Sequence, residues 1–212
     1  KATEIDENLI AAKRLIGDIY WRQGGKENIK KAREIHKQAL EQAKNIGDTK
    51  ETAEGLVMVG YYHFDDKEYD KATELFEQSI KMFEKLDDQL GIAKGLNAMG
   101  NLSSAVKKHD AALDYYTRSL DIGQKIDDKM RIMSSFNNIG YTHADRENYT
   151  TAIDFLQKAL SLSRELGNAN GEALNLNNIG WNYQSLGDIE SAIPYFKQHI
   201  ALRQRLGQKD WA

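Results

Sequence analysis

The 212-residue sequence lacks cysteine and contains a single proline. Without cysteine the chain has no disulfide bond, no thiolate nucleophile and no cysteine-ligated zinc site. No run of 18 apolar residues occurs, so the sequence predicts no helix that inserts into a membrane. The formal net charge is −3, and neither half carries a basic stripe. Because nucleic-acid binding depends on neutralising phosphates, nucleic acid is not an expected partner.

What the sequence does contain is a repeat with a period of 40 residues. Two sets of small residues recur at this spacing: Gly60, Gly100, Gly140 and Gly180, and Ala32, Ala72, Ala112, Ala152 and Ala192. A fixed period of this length indicates stacked structural repeats. Apolar residues surround each glycine and each alanine at the spacing of one helix face. Each repeat is therefore predicted to be a pair of helices, which makes the fold all-α.

The glycines are expected inside helices, where glycine costs about 1 kcal/mol relative to alanine. Their common register therefore predicts a packing reason, the close approach of a neighbouring helix. The first repeat is irregular: it carries three extra residues in the turn around residues 21–29.

Short polar residues stand where the predicted helices begin, and their side chains are expected to cap the helix N-termini. These residues are Asp48, Asp88, Asp128 and Asn168 before first helices, and Asn28, Asn148 and Asp188 before second helices.

This pattern resembles the tetratricopeptide repeat family, in which an aliphatic-x-x-aliphatic-Gly first helix is followed by an Ala-x-x-x-aromatic second helix. Gly180 to Tyr183 and Ala192 to Phe196 fit that motif. The usual period is about 34 residues. The longer period here is similar to the subclass found in G-protein-signalling-modulator scaffolds, kinesin light chains and bacterial MalT-like or sensor proteins. The resemblance implies a right-handed superhelical solenoid of about five helical hairpins.

The repeats are predicted as one array of residues 1–212, at about 5–47, 48–87, 88–127, 128–167 and 168–207. Residues 208–212 align with the start of another first helix. Since solenoid ends usually need a polar cap, the chain is expected to continue there or to self-associate through this end.

First helices line a concave groove in this family, so the resemblance implies a binding surface on them. Glu54 and Val57 are expected to face that groove. The predicted peptide-binding residues are Arg14, Tyr61, Phe64, Lys94, Asn97, Asn101, Asn137, Asn138, Tyr141, Asn177, Asn178 and Trp181.

The most informative of these are Asn97, Asn137 and Asn177, which follow the repeat period. A primary amide both donates and accepts hydrogen bonds, so it can pair with the backbone of an extended peptide of any sequence. Related proteins use such an asparagine ladder, and the resemblance implies the same here. The alternative is that these amides are solvated or cap neighbouring repeats. If they face the groove, their replacement by alanine is expected to leave folding almost unchanged. The groove aromatics are open to two interpretations as well, partner contact or packing between repeats.

The five histidines do not indicate a metal site. His63 and His143 lie two repeats apart, which separates them by roughly 20 Å or more. Each histidine is interpreted as filling a half-buried aromatic position. The sequence also lacks an HExxH motif, a glycine-rich phosphate loop and a nucleophile elbow. No enzymatic activity, metal or cofactor is therefore predicted.

The predicted function is a protein–protein interaction module that binds an extended peptide or a partner helix in its concave groove. The alternative is a regulatory or sensor array of a larger bacterial signalling protein that responds to a small ligand. A cytoplasmic location is expected, with a periplasmic or excised sensor domain as the alternative.

Overall fold

The computed structural model describes the backbone of residues 2–207 and the side chains of residues 8–207. Within that part it contains ten α-helices and no strand, which confirms the all-α prediction. The expected start of a further helix at residues 208–212 lies outside the described residues. The helices are α1 (Ala2–Gln23), α2 (Lys26–Ile46), α3 (Thr49–Asp65), α4 (Tyr69–Lys85), α5 (Gln89–Ala105), α6 (His109–Lys125), α7 (Lys129–Asp145), α8 (Tyr149–Glu165), α9 (Ala169–Ser185) and α10 (Ile189–Arg205).

Residues 1–102 form one compact unit and residues 103–212 form another, here called unit 1 and unit 2. In unit 1, α1 packs on α2, α2 on α3, and α3 on α4. In unit 2, α6 packs on α7, α7 on α8, α8 on α9, and α9 on α10. Each unit is therefore a run of helices that pack on their neighbours in chain order. That both units belong to a single array stays a prediction.

The register glycines lie where the two helices of a hairpin touch. A Cβ atom on Gly60 would stand 2.5 Å from the Phe76 ring. On Gly140 it would stand 2.8 Å from Cγ of Leu156. Both distances are shorter than van der Waals contact, so the predicted packing reason for these glycines is confirmed.

The alanines of the repeat lie in the core of each hairpin. All five are nearly inaccessible to solvent, with relative exposures of 0–2%: Ala32, Ala72, Ala112, Ala152 and Ala192. Their small side chains let the second helix of each repeat approach its neighbours closely, as the sequence predicts.

The caps of the first helices are confirmed. Each cap residue accepts a hydrogen bond from the backbone N–H three residues later, at 2.8–3.0 Å: Asp48, Asp88, Asp128 and Asn168. This satisfies one of the otherwise unpaired N–H groups at each helix start.

The caps of the second helices are only partly as predicted. Asp188 accepts a hydrogen bond from the Ser191 N–H. Asn148 stands at the cap position of α8, but its side chain makes no capping bond. The prediction for Asn28 is wrong, because α2 begins at Lys26 and its cap residue is Gly25. The two-glycine turn adopts positive φ angles, which starts the helix earlier than a polar cap would.

Candidate functional site

The predicted groove residues of unit 2 lie on α7 and α9, two first helices of neighbouring repeats. The face is defined by four amides, two aromatic rings and one leucine, and we call it the unit 2 face: Asn137, Asn138, Tyr141, Leu174, Asn177, Asn178 and Trp181. The two helices contact each other directly. The structure thus brings together half of the residues predicted as peptide-binding, together with Leu174.

Three large apolar side chains stand out from the unit 2 face. Tyr141 is 53% exposed, Leu174 is 47% exposed and Trp181 is 54% exposed. One edge of the Trp181 ring is anchored, since it meets the Phe196 ring edge-on with centroids 5.8 Å apart. The contact with Phe196 holds the indole in place, and the rest of the ring faces solvent. An exposed ring that is held in place can pack against an apolar group of a partner.

The four amides lie on the same two helices and are half-buried. Asn137 is held in place, because its Nδ2 donates a 2.7 Å hydrogen bond to Oδ1 of Asn175. Asn175 is 1% exposed, and its own Nδ2 donates to Ser163 Oγ and to the Gly171 carbonyl. The Asn137 amide retains its second N–H and its oxygen for other partners.

This bond corrects the expectation that the asparagines of the face play no part in folding. Asn137 tethers α7 to the buried polar group of α9, so its replacement would leave Asn175 Oδ1 unpaired. The sequence carried a weak signal for the role of Asn175. Smaller residues occupy its position in the other repeats, Gly55, Gly95 and Ser135. A large polar side chain in that small-residue position indicates a buried hydrogen bond.

The aromatic residues predicted in unit 1 pack mainly within their own repeat. Tyr61 and Phe64 are half-buried. The Tyr61 ring meets Phe76 edge-on at 5.2 Å, and its hydroxyl accepts a long 3.4 Å hydrogen bond from Nδ2 of Asn101. Phe64 lies 5.9 Å from the Tyr69 ring. Most of the surface of these two rings is therefore packed inside unit 1, in agreement with the interpretation that they pack between helices.

The two cations predicted for the groove are paired with carboxylates. Lys94 donates to Glu54 at 2.6 Å, and Arg14 donates to Glu51 at 2.9 Å. Arg14 also lies 3.6 Å from Asp18. Each cation is thus neutralised within unit 1, which lowers its attraction for an acidic partner.

Two residues expected to face the groove are buried instead. Glu54 is 6% exposed and Val57 is 2% exposed. First helices pack against each other here, since α1 contacts α3 and Lys94 of α5 covers Glu54. The prediction for this part of α3 was wrong because it assumed that only one side of a first helix is buried.

Asn97, the predicted ladder asparagine of unit 1, lies on α5 and is half-buried.

His36 shows how a histidine serves the fold. It is 1% exposed, and its Nδ1 lies 2.7 Å from the Tyr62 hydroxyl while Nε2 lies 3.1 Å from the Arg14 carbonyl. Burial raises the pKa of Tyr62, which keeps its hydroxyl protonated. His36 thus fills a second-helix core position, as interpreted from the sequence.

Within the described residues, no three histidine and carboxylate side chains converge as metal ligands would. In residues 2–207, each helix is either too short or too polar to cross a bilayer.

Comparison with known proteins identifies the family. The tetratricopeptide repeat model matches residues 8–85, 51–125 and 131–205. These matches cover most of the chain, so the protein belongs to the tetratricopeptide repeat family. It is a helical repeat scaffold of the protein-interaction type, and such scaffolds are generally not enzymes. No curated protein matches the chain.

Solved structures share the fold at low identity. BtubC (BKLC) from P. vanneervenii is 18% identical with a TM-score of 0.77, covering 99% of this chain and 90% of that one. Aspartyl phosphate phosphatase F from Bacillus subtilis is 15% identical with a TM-score of 0.79, covering 99% of this chain and 54% of that one. A Rap protein complexed with the competence and sporulation factor is 22% identical with a TM-score of 0.62, covering 78% of this chain and 48% of that one. The chain thus spans about half the length of the phosphatase and of this Rap protein.

Proposed function

We propose that unit 2 binds an extended segment of a partner protein along the unit 2 face. The observation that carries this proposal is the combination of exposed Tyr141, Leu174 and Trp181 with neighbouring half-buried amides. Exposed apolar groups rimmed by polar ones favour a protein partner.

The amides suit an extended backbone. Successive peptide groups of an extended segment offer N–H and C=O groups along their length, and each primary amide can pair with both. Asn177 and Asn178 are consecutive residues of α9, while Asn137 retains one N–H and its oxygen after its bond to Asn175. This arrangement can hold a segment without selecting its sequence, so selectivity is assigned to the apolar side chains.

The rings and Leu174 supply that selectivity. A partner residue that packs on Trp181 is removed from water together with much of the exposed indole, and buried tryptophans commonly dominate binding energies. We therefore expect the bound segment to carry an aliphatic or aromatic residue at this point. A solved Rap protein of similar fold is complexed with the competence and sporulation factor, which supports a binding role for this type of scaffold.

The predicted groove residues of unit 1 have a narrower role in this proposal. Arg14 and Lys94 are already paired with Glu51 and Glu54. We therefore do not propose that either cation binds an acidic group of the partner. Asn97, Asn101, Tyr61 and Phe64 lie on first helices of unit 1, and we propose them as contacts of unit 1 with a partner protein.

The proposal is tested by selecting binders from a random peptide display library against the 212-residue chain and measuring them by calorimetry. Trp181→Ala is expected to weaken binding by more than about tenfold, since it empties the apolar contact. The double variant Asn177→Ala/Asn178→Ala is expected to weaken binding several-fold, because backbone groups of the segment lose their partners at about 1–3 kcal/mol in a dry site. The matched control is Asn148→Ala, at an exposed asparagine whose side chain makes no capping bond.

Selected peptides that bind the control and both unit 2 variants with equal affinity would refute the proposal. Circular dichroism melts of each variant establish that the fold is intact. Loss of binding in the control as well would also count against the unit 2 face, because Asn148 lies outside it.

A further inference from the structure

Within residues 2–207, the outermost helices α1 and α10 each expose a stripe of aliphatic side chains. On α1, Leu9, Ile16 and Ile19 are 59%, 49% and 54% exposed. On α10, Ile193 and Ile200 are 43% and 48% exposed. We call these the α1 stripe and the α10 stripe. Large apolar side chains gathered on one face of a helix mark a surface that contacts another macromolecule.

The α1 stripe occupies positions that the next repeat buries. Ile16 and Ile19 precede Val59 and Tyr62 by 43 residues, which is the repeat period plus the three extra residues in the first turn. Val59 and Tyr62 are 7% and 3% exposed. Val59 packs with Leu40 of α2. In α3 this face is therefore covered by the second helix of the preceding repeat, so the α1 stripe is a surface suited to a second helix.

The α10 stripe is the counterpart of that surface. Ile193 and Ile200 follow Ile153 and Leu160 by 40 residues. Ile153 and Leu160 are only 5% and 6% exposed, because they pack with Leu176 and its neighbours on α9. The same positions in α10 therefore form a surface suited to the first helix of a following repeat.

We propose that the two stripes bind each other between copies of this chain, so that α10 of one copy packs on α1 of the next. The occupant follows from continuity with an existing interface: the α8–α9 contact in unit 2 already joins a second helix to a first helix through these positions. Each stripe is aliphatic and matches the chemistry of the other. The proposal uses residues outside the unit 2 face, so it is independent of the proposed peptide binding.

The two surfaces differ, which makes the contact heterologous. A copy whose α10 is occupied still presents its α1 stripe, and the reverse holds for its partner. Association is therefore expected to extend beyond a dimer as protein concentration rises, in contrast to a two-fold pair that closes on itself.

Sedimentation velocity of the 212-residue chain over a range of concentrations tests this. The wild-type weight-average mass is expected to rise above the 24.1 kDa of one chain. Ile16→Glu places a charge in the α1 stripe and Ile200→Glu places one in the α10 stripe. Each is expected to weaken association by at least about tenfold. The matched control is Met130→Glu, at a methionine that is 50% exposed on α7 and belongs to neither stripe. It is expected to associate like the wild type.

Mixing the two stripe variants separates this arrangement from symmetric alternatives. Each variant retains one intact stripe, so the mixture is expected to form a heterodimer and nothing larger. A wild-type chain that stays monomeric at every concentration would overturn the proposal. So would an Ile200→Glu variant that associates normally, since that result indicates a contact between two α1 stripes. If either variant melts early, Ile19→Glu and Ile193→Glu replace it in the same design.

Discussion

Asn137 on α7 and Asn175 on α9 are joined by a 2.7 Å hydrogen bond between residues 38 positions apart in the sequence. One of these amides lies on the exposed face proposed for binding and the other is 1% exposed. The pair therefore connects the candidate binding surface to the core of unit 2. If the proposed binding is correct, a substitution at Asn137 is expected to change both stability and binding, so the two effects must be measured separately.

The first prediction concerns this pair. Asn137→Ala is expected to lower the free energy of unfolding by about 1–3 kcal/mol, because it leaves a buried oxygen without a donor. Chemical denaturation measures the difference. Asn177→Ala is the matched control: within the described residues Asn177 makes no side-chain hydrogen bond, so its replacement is expected to leave stability nearly unchanged. Equal stability losses for the two variants would contradict the assigned role of Asn175.

The second prediction concerns a buried hydroxyl. Ser79 is 0% exposed, and its Oγ has no hydrogen-bond partner among the described residues. Alanine fills the corresponding positions at Ala39 and Ala159. Ser79→Ala is expected to raise the free energy of unfolding by roughly 1 kcal/mol, since it removes an unpaired polar group and introduces a better helix former.

The control for that substitution is its repeat equivalent, Ser119. Its Oγ lies 3.5 Å from the Ser135 hydroxyl, so the hydroxyl at position 119 has a polar neighbour. Ser119→Ala is therefore expected to give no gain in stability. Thermal melts of both variants decide the matter, and a gain of the same size in each would show that helix propensity alone is responsible.

The helices were predictable because their signals are local and repeated. The spacing of residues around Gly60 and Gly140, and the caps at Asp48 and Asp128, depend only on residues within a few turns of the same helix. Four repeats carry the same pattern, so one irregular position does not obscure it. The failed cap at Asn28 falls in the one irregular repeat.

The candidate binding face was less predictable than the helices, because the exposure of its residues depends on contacts between repeats. Lys94 reaches Glu54 across 40 positions of sequence, and spacing along one helix does not reveal such a pair. In a repeat array a first helix packs on its own partner and on its neighbours, so two of its sides are buried. The amphipathic pattern identifies only one of these two buried sides. Val57 lies on the other, so the pattern alone predicted that it faces the groove. The exposed rings of Tyr141 and Trp181 lie on the predicted surface, and their contact with a partner stays a prediction.

The third prediction tests the close helix contact at the register glycine. Gly140→Leu is expected to lower the free energy of unfolding by about 1–3 kcal/mol through overpacking, because even a Cβ atom would stand 2.8 Å from Leu156. Chemical denaturation measures this loss. Thr117→Leu, at an exposed site of α6, is the control and is expected to change stability little. An unchanged denaturation curve for the Gly140 variant would refute the packing argument.

The last prediction concerns the pH dependence of stability through His143. The imidazole stacks on the Phe155 ring at 5.8 Å, and burial, followed by the positive charge of Arg146, lowers its pKa below the ordinary value. The unfolded chain therefore binds a proton at this residue at a higher pH than the folded chain does, so protonation favours unfolding. The stabilising effect of a neutral His143 is complete well above the ordinary histidine pKa of about 6.5, and it is lost as the pH falls below that value, because the folded-state pKa is lowered. His143→Phe keeps the stack on Phe155 and removes the titration. The measurement is the free energy of unfolding of both proteins from pH 8 to pH 5, where the variant is expected to lose less stability than the wild type. Parallel curves for the two proteins over this range would show that His143 contributes nothing to the pH dependence.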